Sequence, residues 1–206
     1  MKKDPLKDFE MIINHQDYVV NINDFQIMVR GGVFTPDPKV SYSSKMLIDN
    51  LPDVRGKSVL DLGSGTGVVA IMCAKNGAAK TVATDNDEKA LQNLRENLSS
   101  NHLDQKIEIR KSDLFENVDE KFDYILANLP INDDFWETDG TTVNLIKQVI
   151  DEANGYLETD GELLFVWASF AEVEPIREYL KKKRLEFEEV AEEKMGYTWY
   201  LFRIKF

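Results

Sequence analysis

The chain has 206 residues, 43% hydrophobic and 30% charged, with 37 acidic against 25 basic residues and a net charge of −12. Length and composition describe one globular domain with room for a short N-terminal addition. They exclude a membrane helix, because no apolar run approaches the roughly 20 residues a span needs, and the acidic balance argues against a surface built to grip bare nucleic acid by its phosphates.

The opening MKKDPLKDFE lacks the apolar stretch of a secretory signal, so a cytoplasmic location is expected. Residues 17–33, DYVVNINDFQIMVRGGV, alternate loosely around Asn23-Asp24, which predicts a hairpin. Thr35-Pro36-Asp37-Pro38 breaks the chain, and residues 39–51 carry a helical stripe of Val40, Met46, Leu47 and Leu51. Strand and helix patterns then alternate. Strands are predicted at 58–62, 80–84, 106–111, 122–127 and 162–168, the last entered through a turn at Thr159-Asp160-Gly161. Helices are predicted at 67–76, 87–100, 141–157 and 171–183, with Pro175 in the first turn of the last. Two strands, 186–190 and 197–205, close the chain around Gly196. Alternating strands and helices give right-handed crossovers and a mostly parallel sheet. The final pair, joined by a short turn, must be antiparallel.

The single cysteine, Cys73, sits in the apolar run VVAIMCAK and reads as core packing. His15 and His102 are far apart and no Cys/His cluster has metal-ligand spacing, so no metal is expected. Lys181-Lys182-Lys183-Arg184 reads as the solvated end of a helix, where cations complement the dipole, or as a phosphate contact.

The strongest motif is Val59-Leu60-Asp61-Leu62-Gly63-Ser64-Gly65-Thr66-Gly67, which follows a strand and opens a helix. Its glycines allow a tight turn and close approach of a nucleotide-like ligand. The G-x-G-x-x-G dinucleotide fingerprint would need glycine where Val68 stands. Asp61, two residues before Gly63, would repel a pyrophosphate and suits a cationic ligand. Asp85, in ATDND, lies where ribose hydroxyls need an acceptor, and Asp113, in KSDLFE, can receive an adenine amine.

These three stretches resemble the motifs of class I S-adenosylmethionine-dependent methyltransferases. The resemblance implies a Rossmann-like α/β fold: a seven-stranded mixed sheet with an antiparallel last strand and helices on both faces. It implies S-adenosyl-L-methionine as cofactor, held by Asp61, Gly63, Ser64, Gly65, Thr66, Gly67, Asp85, Asn86, Asp113 and Leu114, with Asn128 beside them. Gly32-Val33-Phe34-Thr35-Pro36-Asp37 before LPDVRGKSVLDLG is similar to the methyltransferase small domain, shared by ribosomal RNA guanine exocyclic-amine methyltransferases and release-factor glutamine methyltransferases. In those families the segment lies over the cofactor, which assigns that role to Phe34 and Thr35. The chain then divides into residues 1–38, hairpin and covering segment, and 39–206, the methyltransferase domain.

The branch that methylates amino or amide nitrogen ends its fourth strand in Asn/Asp-Pro-Pro-aromatic. Here the corner is Asn128-Leu129-Pro130-Ile131. The Asn128 carboxamide and a backbone carbonyl at Leu129 can accept hydrogen bonds from a substrate NH2 group, and Pro130 stiffens the corner. Leu129 and Ile131 depart from the pattern, and Phe135 and Trp136 could supply the missing aromatic surface. The expected activity is N-methylation of an amino group in ribosomal or other structured RNA. The alternatives are a protein amide or amine (a release-factor glutamine or a ribosomal protein), a small molecule, a non-catalytic cofactor-binding module and, least, an NAD-dependent reductase. A partner protein could supply the basic surface that the chain lacks.

Overall fold

The computed structural model describes residues 12–131 and 142–206. Phe135 and Trp136 lie outside them. A hairpin of β1 (Tyr18–Ile22) and β2 (Phe25–Val29) turns at Asn23, which adopts φ 52°. Helix α1 (Ser43–Asp49) follows, shorter than its apolar stripe suggests, because residues 35–42 remain in turns anchored by Asp37.

The central sheet is built from β3 (Ser58–Leu62), β4 (Lys80–Asp85), β5 (Ile107–Lys111), β6 (Phe122–Ala127), β7 (Leu157–Ala168), β8 (Glu186–Lys194) and β9 (Tyr197–Lys205). Its seven strands stand in the order β5-β4-β3-β6-β7-β9-β8. The strands β3 to β7 pair in parallel, and β9 runs antiparallel between β7 and β8. Helices α2 (Val68–Lys75), α3 (Glu88–Ser100), α4 (Thr142–Ala153) and α5 (Glu174–Lys183) complete the fold. The strands of the sheet centre are continuous apolar runs, as strands covered on both faces must be: Leu60, Ile125, Leu126, Leu163 and Phe165 are fully buried.

Several local rules are visible. Asp87 caps α3 by accepting the Lys89 N–H at 3.0 Å, and Leu91, Leu94 and Leu98 form its buried stripe. Pro175 occupies the first turn of α5, whose last turn carries Lys181, Lys182 and Lys183. Lys183 is paired with Asp151 of α4 at 2.7 Å. Strand β7 begins earlier than its apolar run, at Leu157, and absorbs the expected turn as a register shift against β6, with Asp160 at φ 64°.

Two buried asparagines of α3 stitch the hairpin to the domain. Asn97 accepts the Met28 N–H at 2.7 Å and donates to the Met28 and Thr66 carbonyls, both at 2.9 Å. Asn93 accepts the Arg30 N–H at 3.0 Å and donates to the Met28 carbonyl. Fixing β2 in this way places the segment after it, Gly32–Phe34, at the edge of the main cavity. No helix among the described residues is long and apolar enough to cross a membrane.

Candidate functional site

Strand order reverses between β3 and β6. From β3 the chain steps outward through β4 and β5, then returns to the other side of β3 for β6. Leu62 and Ala127 are register partners, so Gly63 and Asn128 leave the sheet side by side. Ligands bind at such switch points in open α/β sheets. Here the carboxyl ends of the strands open into a cavity of about 880 Å3, a volume ordinary for a small-molecule site.

The glycine loop forms one wall. Gly63 adopts φ +71°, and a Cβ there would lie 2.5 Å from Leu129 Cδ2. Only glycine lets the loop and the β6 corner approach this closely. Gly65, at φ +53°, has nothing within 4 Å of its would-be Cβ, so the backbone faces open space. The loop is tied to β4 by the Ser64 N–H on the Thr84 carbonyl at 2.8 Å.

Asp85, at the end of β4, accepts the Gly65 N–H at 2.8 Å and the Asp87 N–H at 3.0 Å. Burial pushes its carboxyl above the usual range, and these amides pull the other way. Asn86 donates to Asp113 at 3.4 Å. Leu114 holds φ +44°, a strained conformation for a side chain of this size. It is braced by Ser112, whose hydroxyl donates to the Leu114 carbonyl at 2.8 Å and accepts the Asn117 N–H at 3.0 Å.

The corner after β6 forms the opposite wall. Asn128 donates its carboxamide N–H to the Ser44 hydroxyl at 3.0 Å. Among the described residues nothing donates to its Oδ1, and Asn128 lines the cavity. Leu129 is 9% exposed and packs on the glycine loop.

The structure therefore gathers Phe34, Gly63, Gly65, Asp85, Asn86, Asp113, Leu114, Asn128, Leu129 and Pro130 around one cavity. Asp61, Ser64, Thr66, Gly67 and Thr35 do not line it. Asp61 is 1% exposed and accepts the Ala70 N–H at 2.9 Å in the first turn of α2. Burial pushes its carboxyl up to about 7, against the pull of that amide and with the Asp85 charge adding to the rise. Thr35 is buried, bonded to the Tyr18 hydroxyl and accepting the Asp37 N–H at 3.1 Å, so it braces the covering segment from behind.

Sequence reasoning missed Ser41 and Ser43, which line the cavity, and Ser44, which holds Asn128. The run Ser41-Tyr42-Ser43-Ser44 at a helix start was the available signal. It also missed Phe170, Met195, Tyr197 and Trp199, brought to the cavity by β7 and the β8–β9 hairpin. Nothing in their sequence neighbourhood marks them. Among the described residues no group of His, Cys, Asp or Glu could hold a metal ion.

The residues present fit S-adenosylmethionine. Carboxylates at Asp85 and Asp113 match hydroxyl and amine donors, and the open face of Gly65 admits close approach. The hydroxyl of Thr84, which lines the cavity, is buried without a hydrogen-bond partner among the described residues. Such an orphaned group is costly unless a ligand satisfies it.

Comparison with known proteins shows the family. A putative protein N5-glutamine methyltransferase of Methanocaldococcus jannaschii is 39% identical over 112 residues, 54% of this chain and 54% of that protein. A ribosomal protein L11 methyltransferase of Lactobacillus johnsonii is 29% identical over 129 residues, 63% of this chain and 37% of its own length. The chain thus spans about half, or less, of the length of these relatives. The structure of a T. thermophilus 16S rRNA N2 G1207 methyltransferase, in complex with S-adenosylmethionine and guanosine, superposes with a TM-score of 0.71 at 26% identity. That match covers 92% of this chain and 50% of the other. The model of the methyltransferase small domain matches residues 24–200. The chain belongs to the methyltransferase small domain family.

Proposed function

We propose that this protein is an S-adenosylmethionine-dependent N-methyltransferase whose acceptor is an amino or amide nitrogen of a protein. The observation that carries the reading is the shared cavity, in which the glycine loop, Asp85 and Asp113 stand on one side and the Asn128-Leu129-Pro130 corner on the other. S-adenosylmethionine, when bound, supplies an electrophilic methyl group on a sulfonium. Asp85 and Asp113 would accept hydrogen bonds from the ribose hydroxyls and the adenine amine, and the open Gly63–Gly65 backbone would leave room for the methionyl chain beyond the ribose. Asn128, its N–H engaged by Ser44, offers Oδ1 to a substrate N–H. That contact turns the nitrogen lone pair toward the methyl and contributes alignment, which is most of what such a transfer needs. Leu129 and Pro130 close the wall and exclude water.

The charge around the cavity favours a protein acceptor. Its acidic lining residues are Asp85, Asp87, Asp113, Glu116 and Glu152, and no Lys, Arg or His lines it among the described residues. A phosphate-bearing substrate would meet no cation there. The two curated relatives described above carry protein-methyltransferase names. An exocyclic amine of structured RNA is the second reading, favoured by the likeness to the 16S rRNA enzyme over 92% of the chain.

Methyl-labelled S-adenosylmethionine, added with the purified protein to extract of a strain lacking it, tests the proposal. Label in the protein fraction is expected. Label in RNA alone would establish the second reading, and label in neither, with S-adenosylhomocysteine binding intact, would overturn both.

A further inference from the structure

At the β7–β9 end of the cavity, Phe170, Tyr197 and Trp199 form an aromatic cluster. The Phe170 ring stands at 84° to Tyr197, with centroids 5.3 Å apart, and at 82° to Trp199, at 5.8 Å. All three line the cavity, together with Met195. The Tyr42 ring neighbours Trp199, with centroids 6.2 Å apart. The cluster is rigidly held. The Trp199 indole N–H donates to the Lys194 carbonyl at 3.1 Å. The loop after β7 is clipped to β9 by the Ser169 N–H on the Thr198 carbonyl at 2.8 Å and the Thr198 N–H on the Ser169 hydroxyl at 2.9 Å. Trp199 is the register partner of Ala168, and β9 is the second neighbour of β6. Ala127 pairs with Phe165, three residues before Ala168, so at ordinary strand spacing and rise Trp199 lies about 10 Å across the sheet and about 7 Å further along the strands from Asn128.

We infer that Phe170, Tyr197 and Trp199 form a subsite for an alkylammonium group carried by the substrate beside its acceptor nitrogen. Three observations select this ligand. Phe170 packs edge-to-face with both Tyr197 and Trp199, the ordinary preference of aromatic pairs, and all three residues still border the cavity. Aromatic faces attract ammonium ions, as the neighbouring Tyr42 ring shows outside the cavity lining, with Lys194 Nζ 5.9 Å from its centroid. The cavity's charged lining residues, among those described, are all acidic, so a cation entering it is attracted and none of its own cations competes. The subsite also accounts for a corner that carries Ile131 where the nitrogen-methylating pattern has an aromatic residue: substrate grip is displaced to β7 and β9. The inference rests on the proposed N-methyltransferase reading.

The test is heteronuclear NMR of the protein saturated with S-adenosylhomocysteine, following the Trp199 indole N–H, assigned through Trp199→Phe. Tetramethylammonium chloride should shift this signal saturably, whereas sodium chloride at equal ionic strength should not. Phe170→Leu and Tyr197→Leu should each weaken the effect about fivefold, as loss of one cation–π wall implies. S-adenosylhomocysteine affinity should be unchanged in both, which also shows that they fold. N-acetyl-lysine methylamide and spermidine, titrated separately, distinguish a peptide side chain from a polyamine as the source. A shift with guanosine and none with tetramethylammonium would overturn the inference in favour of a base site. No shift with any probe would reduce the cluster to packing. Either failure, with S-adenosylhomocysteine still bound, leaves the cofactor reading standing, and loss of that binding in the wild-type protein would sink the reading itself.

Discussion

Asn128 and Ser44 are 84 positions apart and joined by one 3.0 Å hydrogen bond from the Asn128 carboxamide to the Ser44 hydroxyl. Ser44 is 3% exposed on the buried face of α1, so its hydroxyl is a fixed acceptor. It holds the carboxamide with Oδ1 available in the cavity. Ser44→Ala should lower the methyl-transfer rate about fivefold, the effect of losing roughly 1 kcal/mol of alignment. Ser44→Thr should restore part of it, and S-adenosylhomocysteine affinity by calorimetry should not change. An unaltered rate in Ser44→Ala would mean that Asn128 is oriented by other contacts.

Removing the carboxamide itself is more severe. Asn128→Ala should leave cofactor-product affinity within a few-fold and reduce transfer by about a hundredfold or more, the scale of losing one preorganised polar contact at a reacting centre. Label incorporation under single-turnover conditions measures this. Full turnover would assign the acceptor nitrogen to another group.

Gly63 and Leu129 couple the two walls of the cavity. Gly63→Ala places a methyl 2.5 Å from Leu129 Cδ2 at φ +71°. Destabilisation of about 1–3 kcal/mol is expected from the strained backbone and the overlap, with weakened S-adenosylhomocysteine binding. Urea denaturation and calorimetry read the two effects, and the double variant Gly63→Ala, Leu129→Ala should recover part of the first.

Asp61 ties stability to pH. Its carboxyl in the fold is raised from 3.8 to about 7 by burial, so its contribution is fully present below about pH 4 and is lost as pH rises through about 7. Asp61→Asn keeps an acceptor for the Ala70 N–H and removes the titration. The variant should therefore gain on the wild type as pH rises across that window, by at most about 4 kcal/mol. Urea unfolding at about pH 4.5 and about pH 8 measures the difference. A difference that is the same at both values would show that Asp61 does not titrate in this range.

Much of this architecture is legible in the sequence because its signals are local. Glycines 63, 65 and 67 sit between a strand and a helix, Asp87 begins α3, and Pro175 begins α5. What escapes is set by register. Phe170 and Trp199 meet because β9 inserts between β7 and β8, and no local pattern announces that. The serines before and within α1 are equally silent, since a serine at a helix start caps more often than it positions a distant amide. Asp61 shows the opposite failure. Its position in the motif suggests a ligand contact, but the Ala70 N–H, one of the orphan donors of the α2 N-terminus, takes its carboxylate first. In β7 the Asp160-Gly161 pair reads as a turn, and the sheet accommodates it as a bulge because the backbone pairing with β6 continues on both sides.

The most direct test of the cavity as a cofactor site is calorimetric titration with S-adenosylhomocysteine and with NADH, on the wild-type protein and on Asp85→Ala. Binding of S-adenosylhomocysteine but not NADH is expected. The affinity should fall roughly ten- to a hundredfold in Asp85→Ala, where hydrogen bonds to a charged acceptor are lost. Binding of NADH with no binding of S-adenosylhomocysteine, or an affinity indifferent to Asp85, would contradict the assignment.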